Sequence, residues 1–285
     1  MTILVIGGTG RVGSAAIDTL LGSGASVRCL SHSQEKLATL PKAVEHAFAD
    51  LDDPSSLPAA FDRADAVLLS LAVHPNEEAR GLASIDAALA AGVSKVVHIS
   101  LNHYPGADER VFYQAKQAIE RRLAQSDLVS TIIRSANFYQ SDSTLKAYIV
   151  ESGIYPPPIG HVGVNRIDSR DVGHAAAMAL TTEAYDGQEA ELYGSKTFTG
   201  ESVAEVYSGA LGRPVRYMGD DIEAWAELNA PRLGPWYVNA LKGLYQQQQK
   251  YGMLPAEGAA QHPLLPKTLR SFEDYATELI KVWTR

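Results

Sequence analysis

The residues best suited to chemistry open the chain. Ile3-Leu4-Val5-Ile6 is a strand-like run that leads into Gly7-Gly8-Thr9-Gly10-Arg11-Val12-Gly13, and a stretch of helical character follows over 14–21. Strand, glycine turn and helix start, in that order, form the layout of a dinucleotide-binding unit. Glycine permits the tight backbone angles of such a turn and has no Cβ to hold a pyrophosphate away. The N–H groups at the helix start then face the phosphates, with the helix dipole behind them. The spacing is Gly7-x-x-Gly10-x-x-Gly13 rather than G-x-G-x-x-G. Gly7, Thr9, Gly10, Arg11, Val12 and Gly13 are therefore the expected cofactor contacts. The competing reading is an ordinary glycine-rich strand-to-helix turn.

The second strand bears on which nucleotide is bound. NAD sites place a carboxylate about 20 residues past the glycines, on the ribose 2′-hydroxyl. Here that strand ends Leu30-Ser31-His32-Ser33, with no carboxylate before Glu35. Ser31, His32 and Ser33 can donate hydrogen bonds, and Lys36 and Arg11 add positive charge, with Arg11 placed to fold over the adenosine end. NADP(H) is the expected cofactor and NAD(H) the alternative; otherwise His32 and Lys36 simply decorate a solvated helix start. Asp50-Leu51 suits the adenine edge, with Asp50 alternatively capping the helix near Pro54, and Ser70-Leu71-Ala72 should run beneath the nucleotide. Both placements follow from the rule that ligands lie at the carboxyl ends of parallel strands.

Elements must hold these residues in register. Apolar, β-branched runs recur at 3–6, 26–31, 44–48, 66–71, 94–100 and 129–133, separated by helical periodicity at 54–61, 76–91 and 109–125. This alternation predicts βαβ units and a parallel sheet. Past about residue 140 the pattern loosens. A Pro156-Pro157-Pro158 loop precedes a strand at 162–167, a helix at 169–181, a strand at 189–193, a helix at 200–211 and a strand at 215–218; 221–285 reads as mostly helical. A dinucleotide-binding domain over 1–150, to which 162–182 returns, and a smaller substrate region over 151–285 are expected. The run Gln246–Gln249 reads as a solvated helix face. Trp225, Trp236, Tyr237, Tyr245 and Tyr251 crowd the last third, either lining a pocket for a planar ligand or filling a small helical core.

Composition narrows the classes. With 25 basic and 33 acidic residues the net charge is −8, which argues against a general nucleic-acid binder. No apolar run spans a bilayer, no signal peptide is evident, and the single cysteine, Cys29, excludes an internal disulfide. A cytoplasmic protein with no membrane partner is expected; monomer and homodimer stay open. His98 and His103 are the only close histidine pair and lack the cysteine or carboxylate pattern of a metal site. No nucleophile elbow or P-loop is present.

Several segments together resemble the NmrA-like family of atypical short-chain dehydrogenases. They are the glycine loop, Asp50-Leu51-Asp52-Asp53-Pro54-Ser55-Ser56-Leu57, Val96-Val97-His98-Ile99-Ser100, Lys116 with Glu120, Ile132-Ile133-Arg134-Ser135-Ala136-Asn137-Phe138, Ile167-Asp168-Ser169-Arg170-Asp171-Val172-Gly173 and Leu211-Gly212-Arg213-Pro214-Val215. The resemblance covers nearly the whole chain. It implies an α/β protein with a Rossmann-type doubly wound parallel sheet, NAD(P) binding and a smaller, mostly helical C-terminal substrate region. The family includes NADPH-dependent quinone and dye reductases as well as nucleotide-binding regulators without known turnover.

Typical short-chain dehydrogenases place a tyrosine four residues before the lysine. Here Phe112 stands four before Lys116 and Tyr113 three before, about 100° around the helix from Phe112. Tyr113 can still neighbour Lys116. The resemblance implies that Lys116 orients the nicotinamide ribose, with Asn137 and Phe138 near the nicotinamide. Tyr113, Tyr104 and His103 are candidate proton donors or substrate contacts, and Ser100 holds the place of the usual serine. Glu120 can pair with Lys116. Asp168 or Ser169 should cap the following helix, and Arg170 and Asp171 should tie it to the Rossmann core. Without the tyrosine, alcohol dehydrogenation is disfavoured. The reading is hydride transfer from NADPH to a small quinone-like or other conjugated acceptor; the alternative is an NADP(H)-sensing regulator that binds a protein partner.

Overall fold

The computed structural model describes residues 1–285, with every side chain except that of Glu109. The first half alternates without interruption: β1 (Thr2–Ile6), α1 (Arg11–Gly22), β2 (Ser26–Ser31), α2 (Gln34–Ala38), β3 (Glu45–Phe48), α3 (Leu57–Phe61), β4 (Ala66–Leu69), α4 (Glu77–Ala90), β5 (Lys95–Leu101), α5 (Val111–Ala124) and β6 (Val129–Ser135). There follow β7 (Asn137–Phe138), β8 (Ile154–Tyr155), β9 (Val164–Ile167), α6 (Ser169–Thr181), β10 (Glu189–Leu192), β11 (Lys196–Phe198), α7 (Gly200–Leu211) and β12 (Arg216–Tyr217). Three helices finish the chain: α8 (Ile222–Leu233), α9 (Pro235–Tyr251) and α10 (Phe272–Trp283).

Seven strands form one sheet in the order β3-β2-β1-β4-β5-β6-β10, parallel throughout. Parallel strands need helices on both faces, so β1 and β4 are apolar on both sides. Ile3, Val5 and Leu68 pack under α1 and α6, with Ile17, Ala175 and Ala176. Leu4, Ile6 and Leu69 face the other way, against Phe61, Ile85 and Ile119. Cys29 lies buried in this sheet, and burial pushes its thiol up to about 11. The strand order reverses between β1 and β4, which opens a crevice at their carboxyl ends. Among the described residues no helix is long and apolar enough to cross a membrane.

A boundary at residue 150 does not separate the sheet from the rest. The helix α6 packs on α1, and β10 pairs with β6 through Glu189↔Ile132 to Leu192↔Ser135. The C-terminal part has its own aromatic core, which includes Tyr139, Tyr155, Tyr207, Trp225, Tyr245 and Phe272. A buried ion pair lies within this core. Arg166 of β9 meets Asp142 at 3.0 Å, its guanidinium stacks 4.7 Å from the Phe272 ring centroid, and the Tyr207 hydroxyl donates to Asp142.

Two expectations need correction. Gln247 and Gln248 are buried, not solvated. Gln247 donates to Pro105 O, Gln248 to Met253 Sδ, and Gln249 to Pro158 O and Asp220 O. The reason is that α9 crosses loops whose carbonyls need donors. Asp168 does cap α6, accepting from Arg170 N, but Arg170 and Asp171 tie that helix to the C-terminal segment. Arg170 pairs with Glu278 and Asp171 with Arg270. The apolar face of α6 is already spent on α1, which leaves the polar first turn to the C-terminal residues.

Candidate functional site

The glycine loop leaves β1 at Gly7, whose φ is +79°, and a Cβ there would collide with Ser70 O at the end of β4. Only glycine lets the two strand ends approach this closely. Gly13, inside the first turn of α1, lies against Gly7 O and leaves no room for a side chain either. The helix begins at the N-cap Gly10 with no side-chain cap and no acidic residue in its first turn. Its first N–H groups are thus open to an anion, as a pyrophosphate requires. Gly7, Gly13 and Ser70 thus lie together at the open start of α1, while the Val12 side chain is buried in the core.

Arg11 is exposed. Its guanidinium reaches Ser143 Oγ at 3.4 Å, beyond β7, on the β6 side of β1 rather than the β2 side. Negative charge at Asp142 lies in that direction. At the end of β2, Ser33 caps α2 by accepting from Lys36 N, and Ser31 Oγ accepts from Ser33 N. Both hydroxyls keep a proton to donate. His32 and Lys36 are exposed. Asp50 accepts from Asp52 N within its own turn, and Leu51 packs partly against the core. Asp52, one residue on, is held by Arg80 of α4 and by Asn76, which keeps its carboxyl well below the usual range.

The helix α5 presents two faces. One carries Lys116 and Ile119 toward α4: Lys116 Nζ pairs with Glu77 Oε1 at 2.8 Å and donates to Ile99 O at 2.9 Å. Both charged side chains are almost wholly buried, at 5% and 1% exposure. Phe112, one turn before Lys116, packs on Trp236 with ring centroids 5.9 Å apart. The other face carries Tyr113 and Glu120. The Tyr113 hydroxyl and His103 Nδ1 are hydrogen-bonded to each other, and burial pushes the phenol up to about 12. Glu120 pairs with Arg134 and accepts from Ser100 Oγ. One pairing expected from the sequence is therefore replaced: Glu120 meets Arg134 and not Lys116, whose partner is Glu77. The Tyr113 ring also meets the His103 ring edge to face, with centroids 5.2 Å apart. Tyr104 is buried, and its hydroxyl accepts from Asn102 Nδ2.

Asn137 and Phe138 form β7, which pairs with β9 just past β6; the Phe138 carbonyl accepts from Arg166. Above the crevice, α9 closes the mouth from the C-terminal side, where Tyr237 donates to Val73 O in the loop after β4. Trp225 and Tyr245, by contrast, pack on each other in the C-terminal core. Sequence reasoning missed Glu77 and Arg166, since a buried charge partner far along the chain leaves no local signal. Two surface clefts lie elsewhere, about 510 Å³ beside His161 and Tyr217 and about 570 Å³ beside Asn165 and Lys267. Among the described residues no cluster of three His, Cys, Asp or Glu is placed to hold a metal ion.

A seven-stranded parallel sheet with a glycine-lined switch point and a helical C-terminal cover defines a Rossmann-type α/β protein. The chain belongs to the NmrA-like family, whose pattern matches residues 1–276. It is 30% identical over 223 residues to the NAD(P)H azoreductase of Xenophilus azovorans, 78% of either chain. Its fold superposes with TM-score 0.85 on an NADPH-dependent quinone oxidoreductase of Escherichia coli, at 21% identity over 98% of this chain and 99% of that one. It also superposes with TM-score 0.74 on NmrA, a negative transcriptional regulator in complex with NADP, at 19% identity over 100% and 99% of the two chains.

Proposed function

We propose that this protein is an NADPH-dependent reductase that transfers hydride to a quinone-like or other conjugated acceptor. The observation that carries the reading is Phe112, with no proton to give, one turn before a retained Lys116 and under Trp236. Bound NADPH supplies the hydride. The glycine cradle and the uncapped start of α1 hold the pyrophosphate, and Lys116, with two of its three donors engaged, keeps one N–H for a ribose hydroxyl. Asn137 and Phe138 border the nicotinamide end. Ser31, His32, Ser33 and Lys36 favour a 2′-phosphate, since no carboxylate stands at the end of β2 to repel it. Reducing an isolated carbonyl needs a proton donor at the forming alkoxide. A conjugated acceptor does not, because its reduced anion is delocalised and water protonates it. The azoreductase and quinone oxidoreductase relatives support this chemistry.

The likeness to the regulator NmrA supports a second reading, a sensor that binds NADP(H) without turnover and signals to a protein partner. The deciding experiment follows NADPH and NADH oxidation by the purified protein against quinones, enones and azo dyes. NADPH-preferring turnover is expected. Confirmed nucleotide binding with no turnover on the whole panel would transfer the case to the sensor.

A further inference from the structure

Three observations converge on the start of α9. First, Trp236 and Tyr237 bridge the two walls of the crevice mouth. The Trp236 ring packs on Phe112 of α5, and the Tyr237 hydroxyl donates to Val73 O in the loop after β4, with the two rings edge to face at 4.9 Å. Second, Trp236 is only half-buried and its indole N–H donates to no group among the described residues. A large aromatic ring with a free donor, held at a cleft mouth, is suited to stacking on a planar ligand. Third, the backbone is shaped to deliver it. Gly234 joins α8 to α9 at φ 76° and ψ 161°, a region essentially reserved for glycine, and Pro235 starts α9 immediately after.

We infer that Trp236 is the specificity-determining residue for the acceptor: its indole stacks planar multi-ring substrates at the Phe112 end of the crevice, and Gly234 sets its position. This rests on the reductase reading above and adds which acceptors are preferred and why. Stacking strengthens with the overlapping ring area, so multi-ring acceptors gain from Trp236 and single-ring ones gain little.

The test measures binding without turnover. Protein loaded with NADP⁺ is titrated with anthraquinone-2-sulfonate and with the single-ring duroquinone, and steady-state reduction of both by NADPH is followed in parallel. Trp236→Ala should weaken anthraquinone-2-sulfonate by about tenfold and duroquinone by less than roughly threefold, with NADPH affinity unchanged. Trp236→Phe should recover most of the loss. Gly234→Ala meets no atom within 4 Å at its new Cβ but strains the backbone, so it should shift the same preference without removing the ring. If the wild-type protein binds and reduces both quinones and Trp236→Ala leaves their ratio unchanged, the inference is overturned and the reductase reading stands. If the wild-type protein holds NADPH, binds neither quinone and turns over no member of the acceptor panel, both are overturned; if it binds neither quinone but reduces other acceptors, only the inference is.

Discussion

At His98 the ring is fully buried and its Nδ1–H donates to Leu69 O, while Nε2 has no partner. Protonation would put an unpaired cation in the core beside Lys116, so burial, aided by that ammonium, holds the ring far below the usual histidine range. The unfolded chain takes up this proton near pH 6.5 and the folded one does not. Stability is therefore full above about pH 6.5 and falls with acidification by up to roughly 1.4 kcal/mol per pH unit for this one group. Urea unfolding at pH 7.5, 6.5 and 5.5 should show that slope, and His98→Asn should remove it. The Lys116–Glu77 pair makes a separate prediction. Lys116→Met leaves a buried carboxylate alone and should cost roughly 3–5 kcal/mol, whereas adding Glu77→Gln should cost much less than the sum of the single changes. Additive single costs would show that the two charges do not act as a unit. At the end of β2, His32→Ala with Lys36→Ala should weaken NADPH by about tenfold and leave NADH nearly unchanged, as read by direct titration. At this scale the sequence shows that Phe112 stands where a proton donor would be. It does not show Glu77, because nothing local marks a partner brought in from another helix.

At the scale of elements, the clearest sequence signals are those with local causes. The helix α6 starts at its Asp168 cap, and α7 runs from a Thr199–Ser202 capping box to Gly212 at φ 70°, so both span the residues their periodicity predicts. The strand ends and the glycine turn have similarly local grammar. Gly7→Ala should abolish NADPH binding, because it forces a side chain into a left-handed backbone and against Ser70 O; retained affinity in a titration would contradict the cradle described above. The glutamine run was illegible for the opposite reason. Its environment is set by the Pro105 and Pro158 carbonyls that α9 happens to cross, and composition alone makes it look like a solvated face. Tyr113 belongs here too, since its place on α5 is fixed by spacing but its partner His103 comes from the loop after β5.

For the whole molecule, the parallel sheet was legible from alternation and the return of α6 from its periodicity, but the buried ion pair of the C-terminal part was not. That pair gathers Arg166, Asp142, Tyr207 and Phe272, which come from four separate segments. Asp142→Ala strands a buried guanidinium and should cost roughly 3–5 kcal/mol in urea unfolding, far more than loss of the exposed Lys196–Glu273 bridge. The sheet itself is closed late along the chain, with α6 covering α1 and β10 completing the edge beside β6. On the ribosome, then, the nascent N-terminal half cannot cover its own core. Until residue 192 has left the exit tunnel, at about 5–20 residues per second, the α1 face and the β6 edge stay bare. That interval is when a chaperone has something to hold, and a chain terminated near residue 150 would remain in it permanently.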